Sequence, residues 1–302
     1  MKRTLGFIGL GIMGKPMAKN LLKAGFSLVV FDLNKAAMED LVKAGAFAAY
    51  SSREVAERTE VIITMLPDSP EVKQVILEKN GVLEGIRRGS LVIDMSSINP
   101  LVTQEIARRL EEKGAKMLDA PVSGGEAGAI QGTLAIMVGG EKEVFEDCME
   151  IFKTMGKSIV HVGAIGAGGY VKLVNQIIVA LNIASVGEAF SLGVKAGLDP
   201  QVIFQAIRGG LAGSQVLEAK APMIFGRNFK PGFKINLHQK DLHNALSTGK
   251  DLGVPLPLSS FVQQIFISLM TEGRGEDDHS ALATFFEKMA KVEIKSKSPL
   301  SP

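Results

Sequence analysis

Three features of the 302-residue sequence predict an α/β domain followed by an all-α domain. Short apolar runs alternate with amphipathic segments of helical length through the first half of the chain. A glycine-rich turn joins the first such run to the first helical segment. Beyond about residue 165 the strand signals fade. Alternation of this kind builds a parallel sheet with helices on both faces.

Length and composition set the bounds. With 46% hydrophobic and 22% charged residues the chain has the apolar mass of a globular protein, and its length suits about two domains. The 34 basic and 32 acidic residues are interspersed and leave a net charge of +2, so neither nucleic acid nor an anionic membrane is an expected partner. A single cysteine, Cys148, excludes an intramolecular disulfide and fits a reducing compartment, so the expected location is the cytoplasm. Lys2 and Arg3 ahead of the apolar run imitate the start of a signal peptide, but a strand and a glycine turn account for the same residues.

Strands are expected at residues 4–8, 27–31, 61–65, 91–93, 116–118, 134–138 and 159–162. Residues 168–195 lack proline and would form a helix of about 40 Å at 1.5 Å per residue. Its centre is apolar around most of the circumference, which calls for burial by later helices or by a second subunit. No uninterrupted apolar run reaches the ~18 residues of a membrane span. Asp199 and Pro200 form a cap and first-turn proline for another helix, and helical patterns continue to Lys291. The domains expected are 1–164 and 165–292, with a polar, disordered tail at 293–302.

The first turn reads Gly9-Leu10-Gly11-Ile12-Met13-Gly14, between a strand and a helix predicted to begin near Ile12. In a dinucleotide-binding turn the first glycine permits the tight bend, the second lets the backbone approach a pyrophosphate, and the third allows close helix packing. Asp32 ends the second strand, where a carboxylate accepts hydrogen bonds from ribose hydroxyls and repels a 2′-phosphate. Leu33 and Asn34 follow without an arginine, so NAD(H) is preferred, while Lys35 keeps NADP(H) possible. The first domain is therefore expected to be a Rossmann-type dinucleotide-binding domain. Later strand ends carry Met65-Leu66-Pro67 and Ser97, which would line the same crevice, and Ser123-Gly124-Gly125. That tripeptide offers backbone N–H donors and a hydroxyl suited to a substrate carboxylate, although an ordinary turn uses the same residues.

These segments are recognisable together. FIGLGIMGKPMAKNLLKAG, DAPVSGGEAGAIQGTL, GAGGYVKLVNQIIVALNIAS, RNFKPGFKINLHQKDL and DHSALATFFEKMAKVE spread over nearly the whole chain. They resemble the β-hydroxyacid dehydrogenase family. The resemblance implies reduction of a short carboxylated aldehyde, tartronate semialdehyde to glycerate first among them. Succinic semialdehyde, glyoxylate and 3-hydroxyisobutyrate are the alternatives. It also implies a homo-oligomer, dimer or tetramer, built through the helical domain, and a lysine acid/base that falls here on Lys172. Position agrees, because Lys172 lies just past a glycine-rich turn joining the domains, where partial desolvation would tune an amine for proton exchange. Asn175 and Gln176 follow at i+3 and i+4, on nearly the same helix face. Many relatives carry Asn where this chain has Gln176, so both amides are candidates for substrate contact. The resemblance further places Lys240 at the cofactor and Asp241 and Phe233 at the substrate, in a run that pattern alone reads as a solvated helix face. His238 and His243 lack the i, i+4 spacing of a helical zinc pair, so no metal is expected, and His279 is read as helping to cap the final helix. A dinucleotide-binding scaffold without catalysis is the non-enzyme alternative; it would keep the glycine turn and could lose Lys172.

Overall fold

The computed structural model describes residues 3–296, and these divide after Lys172 into two compact units. The division falls inside a helix, eight residues past the boundary expected at 164/165.

In the first unit the order is β1 (Thr4–Ile8), α1 (Gly14–Lys23), β2 (Ser27–Phe31), α2 (Lys35–Lys43), β3 (Phe47–Ala48), α3 (Ser52–Arg58), β4 (Val61–Thr64), α4 (Ser69–Leu77) and α5 (Val82–Gly85). There follow β5 (Leu91–Asp94), α6 (Pro100–Glu111), β6 (Lys116–Asp119), β7 (Val122–Ser123), α7 (Gly125–Gln131), β8 (Leu134–Gly139), α8 (Lys142–Asp147), α9 (Met149–Met155) and β9 (Gly156–Gly163). The sheet order is β3-β2-β1-β4-β5-β6-β8-β7, with β9 on β8. Its first six members are parallel and run in the order 3-2-1-4-5-6 of a doubly wound dinucleotide-binding fold. Both faces are covered because side chains alternate across each strand. Phe7, Val30, Ile63 and Ile93 enter one apolar cluster, while Ile8, Val29, Ile62 and Val92 enter the other.

The expected strands are present, and two-residue β3 and β7 are additional, too short to show a period. One departure is topological: β8 runs antiparallel to β6 and β7. Only α7 and its flanking turns separate β7 from β8, which is shorter than the dozen or more residues a parallel crossover needs.

The second unit is helical among its described residues, apart from an isolated bridge between Lys234 and Asp278. Helix α10 (Ala167–Lys195) enters it from the first unit. The rest is α11 (Pro200–Ile207), α12 (Gln215–Phe225), α13 (Ile235–Leu252), α14 (Pro257–Thr271), a 3-10 turn (His279–Leu282) and α15 (Ala283–Ala290). Asp199 caps α11 by accepting from Gln201 N–H, with Pro200 in its first turn. Although no unbroken apolar run spans it, α10 is long and apolar enough to cross a membrane by length and composition, with a mean hydropathy of 1.8 over an 18-residue stretch. Ala180, Ile183 and Phe190 on it pack into the apolar clusters of the helical unit, whereas Val174, Ile178 and Leu192 are exposed. The final helix is not capped by His279. Asp278 caps the preceding 3-10 turn, accepting from Ser280 N–H, and His279 is buried. Of the expected tail, Ile294 is fully buried and Ser296 N–H donates to Phe225 O, so packing continues past residue 292; residues 297–302 lie outside the described part of the chain.

Candidate active site

The turn after β1 lies where the strand order reverses, between β1 and β4. Gly9 has φ +95°, and a Cβ there would overlap the carbonyl of Met65 at the end of β4. A Cβ on Gly14 would overlap Gly9 O, so only glycine fits where α1 starts, two residues past the expected Ile12. Both glycines are therefore demanded by backbone packing. Gly11 differs, because a Cβ there would meet nothing within 4 Å. The exposed Gly11 and Ile12 and the half-buried Met13 lead into an α1 N-terminus with no side-chain cap and no acidic residue in its first turn. Backbone N–H groups of the turn and the positive end of the helix dipole there suit an anion. Leu10, Gly11 and Ile12, with Lys15, Lys19 and Asn34, border a cleft of about 680 Å³.

Asp32 is first a structural tie. Its Oδ2 accepts from Leu10 N–H at 2.5 Å and its Oδ1 from Asn34 N–H at 2.7 Å, fastening the glycine turn to the end of β2. Each carboxylate oxygen keeps a second lone pair for a ribose hydroxyl. Leu33 is exposed, and Asn34 spends its side-chain oxygen capping α2 through Ala36 and Ala37 N–H. The vacant approach at Gly11, the uncapped helix and the half-buried Asp32 carboxylate together fit a dinucleotide.

Met65 and Leu66 are half-buried and Pro67 exposed at the end of β4. A network that sequence reasoning missed fixes them: Leu66 N–H donates to Ser96 Oγ at 2.9 Å, and Asp94 Oδ1 accepts from Thr64 Oγ1 at 2.8 Å and from Ser96 N–H at 3.1 Å. Burial pushes the Asp94 carboxyl up to about 6 against the pull of these bonds, and neighbouring Asp119 adds to the rise. Its Oδ2 is buried without a hydrogen-bond partner. Ser97 is half-buried in the loop after β5.

At the end of β7, Ser123 is half-buried and Gly124 exposed, and both Gly124 and Gly125 have positive φ. Ala120 and Pro121 join this segment to Asp119, a second residue the sequence reading left without a role. Asp119 is 2% exposed; its Oδ1 accepts from Gly166 N–H at 2.7 Å and its Oδ2 from Gly169 N–H at 2.8 Å. Burial raises its pKa while those N–H groups pull it down. One turn along α10 from Gly169 stands Lys172, 7% exposed, the last residue of this unit.

In the helical unit a chain of polar contacts joins the remaining candidates. Asn175 Nδ2 donates to Gln176 Oε1 at 2.8 Å, and Gln176 Nε2 donates to Asp241 Oδ2 at 2.5 Å. Lys240 Nζ lies 2.8 Å from Asp241 Oδ1. The helix run read from pattern as solvated instead buries one face, with Asp241 at 2% and His238 at 0% exposure, while His243 is exposed. Phe233 stands apart from this chain, its ring packed edge-on against His238 and His279. The two histidines meet through their Nδ1 atoms at 2.8 Å, and His238 Nε2 lies 3.1 Å from Gln176 O, which fixes it as the donor there. Lys220 bonds both oxygens of Asp278. Burial works to raise the Asp278 pKa, yet His279 and Lys220 beside it hold the carboxyl well below the usual range. No local sequence pattern announces these pairs. Among the described residues no group of three His, Cys, Asp or Glu could hold a metal ion.

Comparison with known proteins bears on the family and the fold. Residues 4–163 match the family described as the NAD binding domain of 6-phosphogluconate dehydrogenase, and residues 166–286 the family described as NAD-binding of NADP-dependent 3-hydroxyisobutyrate dehydrogenase. The chain is 46% identical to 2-hydroxy-3-oxopropionate reductase of Escherichia coli K12, over 96% of this chain and 99% of that one. It is 42% identical to 2-(hydroxymethyl)glutarate dehydrogenase of Eubacterium barkeri, over 96% and 97%. A solved structure of 3-hydroxyisobutyrate dehydrogenase from Mycobacterium tuberculosis, with L-serine, superposes with a TM-score of 0.88 at 33% identity, over 94% of this chain and 99% of that one. The chain belongs to the β-hydroxyacid dehydrogenase family of NAD(P)-dependent oxidoreductases.

Proposed function

We propose that this protein reduces tartronate semialdehyde to glycerate with NADH, using Lys172 as the acid/base group. The observation that carries the reading is the burial of Lys172 one turn beyond the Asp119-anchored start of α10, in the unit that also holds the glycine turn and Ser123-Gly124-Gly125. The 46% identity to a 2-hydroxy-3-oxopropionate reductase supports the choice of substrate.

The residues at 9–14 and Asp32, with Met65, Leu66, Pro67 and Ser97, would hold the dinucleotide. When bound, NADH supplies the hydride. Ser123, Gly124 and Gly125 take the substrate carboxylate, which orients the aldehyde carbon and confers the advantage of proximity. Lys172 hydrogen-bonds the aldehyde oxygen, stabilises the negative charge that grows there, and donates the proton; in the reverse direction it accepts that proton. Asn175 or Gln176 orients the hydroxyl, and Asp241 fixes Gln176 through its 2.5 Å bond. Asp32 and the lack of an arginine at Leu33 and Asn34 favour NADH over NADPH. The exposed Val174, Ile178 and Leu192 on α10 support a homo-oligomer formed through the helical unit.

A panel of tartronate semialdehyde, succinic semialdehyde and glyoxylate with NADH and NADPH, and of 3-hydroxyisobutyrate with NAD⁺ and NADP⁺, tests the reading. The highest kcat/KM is expected with tartronate semialdehyde and NADH. A higher value for another acid reassigns the substrate. NADH binding without turnover of any of them replaces the enzyme with a binding scaffold.

A further inference from the structure

We infer that Asp119 is a positioning residue, a buried carboxylate that sets the place of Lys172 relative to Ser123-Gly124-Gly125; this rests on the acid/base role proposed for Lys172. The carboxylate ends β6 and grips the start of α10 through Gly166 N–H at 2.7 Å and Gly169 N–H at 2.8 Å, donors 47 and 50 residues away. It thus replaces a local cap at the N-terminus of the longest helix, where a negative group is favoured.

The surrounding packing leaves the grip no slack. A Cβ on Gly139 would overlap Asp119 Oδ1, and a Cβ on Gly168 would overlap Met137 O. Register partners Asp119 and Gly139 bring the ends of β6 and β8 together beneath the first turn of α10. Both oxygens are engaged by backbone donors and the side chain is 2% exposed, so Asp119 is not itself placed to exchange a proton with substrate. Burying a carboxylate is costly, and a nearby serine or asparagine would have capped the helix at less cost. What the distant carboxylate adds is geometry. From Asp119 the chain reaches Ser123 through Ala120, Pro121 and Val122, and Lys172 follows Gly169 by one helical turn. One side chain therefore joins the carboxylate clasp to the acid/base, and a tilt of that first turn would be magnified along the lysine side chain.

The test compares wild type, D119N, K172A and the double variant as full-length enzymes. Asparagine keeps the size but turns an NH₂ toward one of the two N–H donors. D119N is expected to lower kcat about 100-fold, the cost of roughly 1 Å of misplacement, while the Kd for NADH stays within about twofold. On the K172A background D119N should remove nothing further, because its effect passes through the lysine. An equal loss on both backgrounds, or a D119N kcat within about twofold of wild type, overturns the inference. If D119N does not fold, Asp119→Glu keeps the charge and shifts both oxygens, and the same comparison applies; loss of fold in both also overturns it. K172A with wild-type turnover would instead overturn the proposed chemistry of the site.

Discussion

The two units hold their candidate residues by different means. Around the glycine turn the backbone does most of the holding: Gly9 and Gly14 fit because no Cβ intrudes, and Asp32 ties the loop through two N–H groups. In the helical unit side chains hold side chains, from Asn175 through Gln176 to Asp241 and Lys240, with His238 gripping the carbonyl of Gln176. The first design tolerates almost no added atom at two positions and leaves open space at a third. The second tolerates no lost partner, since each buried polar group depends on another.

The largest expected effect comes from Gly14→Val, whose side chain would overlap Gly9 O; soluble folded protein should fall sharply or disappear. Gly11→Ala sharpens the point from the opposite side. Its Cβ meets nothing, so stability should stay within about 0.5 kcal/mol of wild type while NADH affinity falls at least about tenfold. Thermal melts and a fluorescence titration read both, and unchanged affinity in G11A would mean the cofactor does not approach there.

In the helical unit, Gln176→Leu leaves Asp241 Oδ2 without its 2.5 Å donor. A loss of about 1–3 kcal/mol is expected, together with a fall in kcat. A lowered Tm with kcat intact would reduce the polar chain to scaffolding.

Asp94 is the exception that tests the comparison, bonding a second side chain in a unit where Asp32 and Asp119 bond backbone N–H groups. Its carboxyl rises from 3.8 to about 6 on folding, chiefly through burial. The folded state therefore binds the extra proton, and the contribution to stability is present below pH 4 and lost as pH rises through about 6. Asp94→Asn should remove that slope, on the order of 3 kcal/mol, as read by denaturant titrations at several pH values. An unaltered slope would locate the titration elsewhere.

The smallest effect concerns Cys148, 1% exposed and with its thiol pushed up to about 11 chiefly by burial. Thiol reagents should modify the native enzyme slowly and leave its rate unchanged. Rapid modification would mean that helices α8 and α9 open readily around it.

Legibility in the sequence follows the same division. The glycine turn, Asp32 and the strand ends are readable because backbone geometry restricts residue type within a few positions, so Gly9, Gly11 and Gly14 stand out together. Asp94 and Asp119 each end a short apolar strand, but their partners, Ser96 and the N–H groups of Gly166 and Gly169, come from the fold. His238 with His279 and Lys220 with Asp278 leave no spacing at all to read, and only family resemblance singled out Lys240 and Asp241. The antiparallel β8 escaped because apolar alternation reports burial and carries no strand direction.

Everything proposed for the chemistry depends on where the Lys172 amine lies when substrate is bound. A crystal structure of the enzyme with NAD⁺ and glycerate measures this directly. The account predicts Lys172 Nζ within about 3.2 Å of the hydroxyl oxygen that gives up its proton. An amine turned into bulk solvent, with another group at that oxygen, would contradict it.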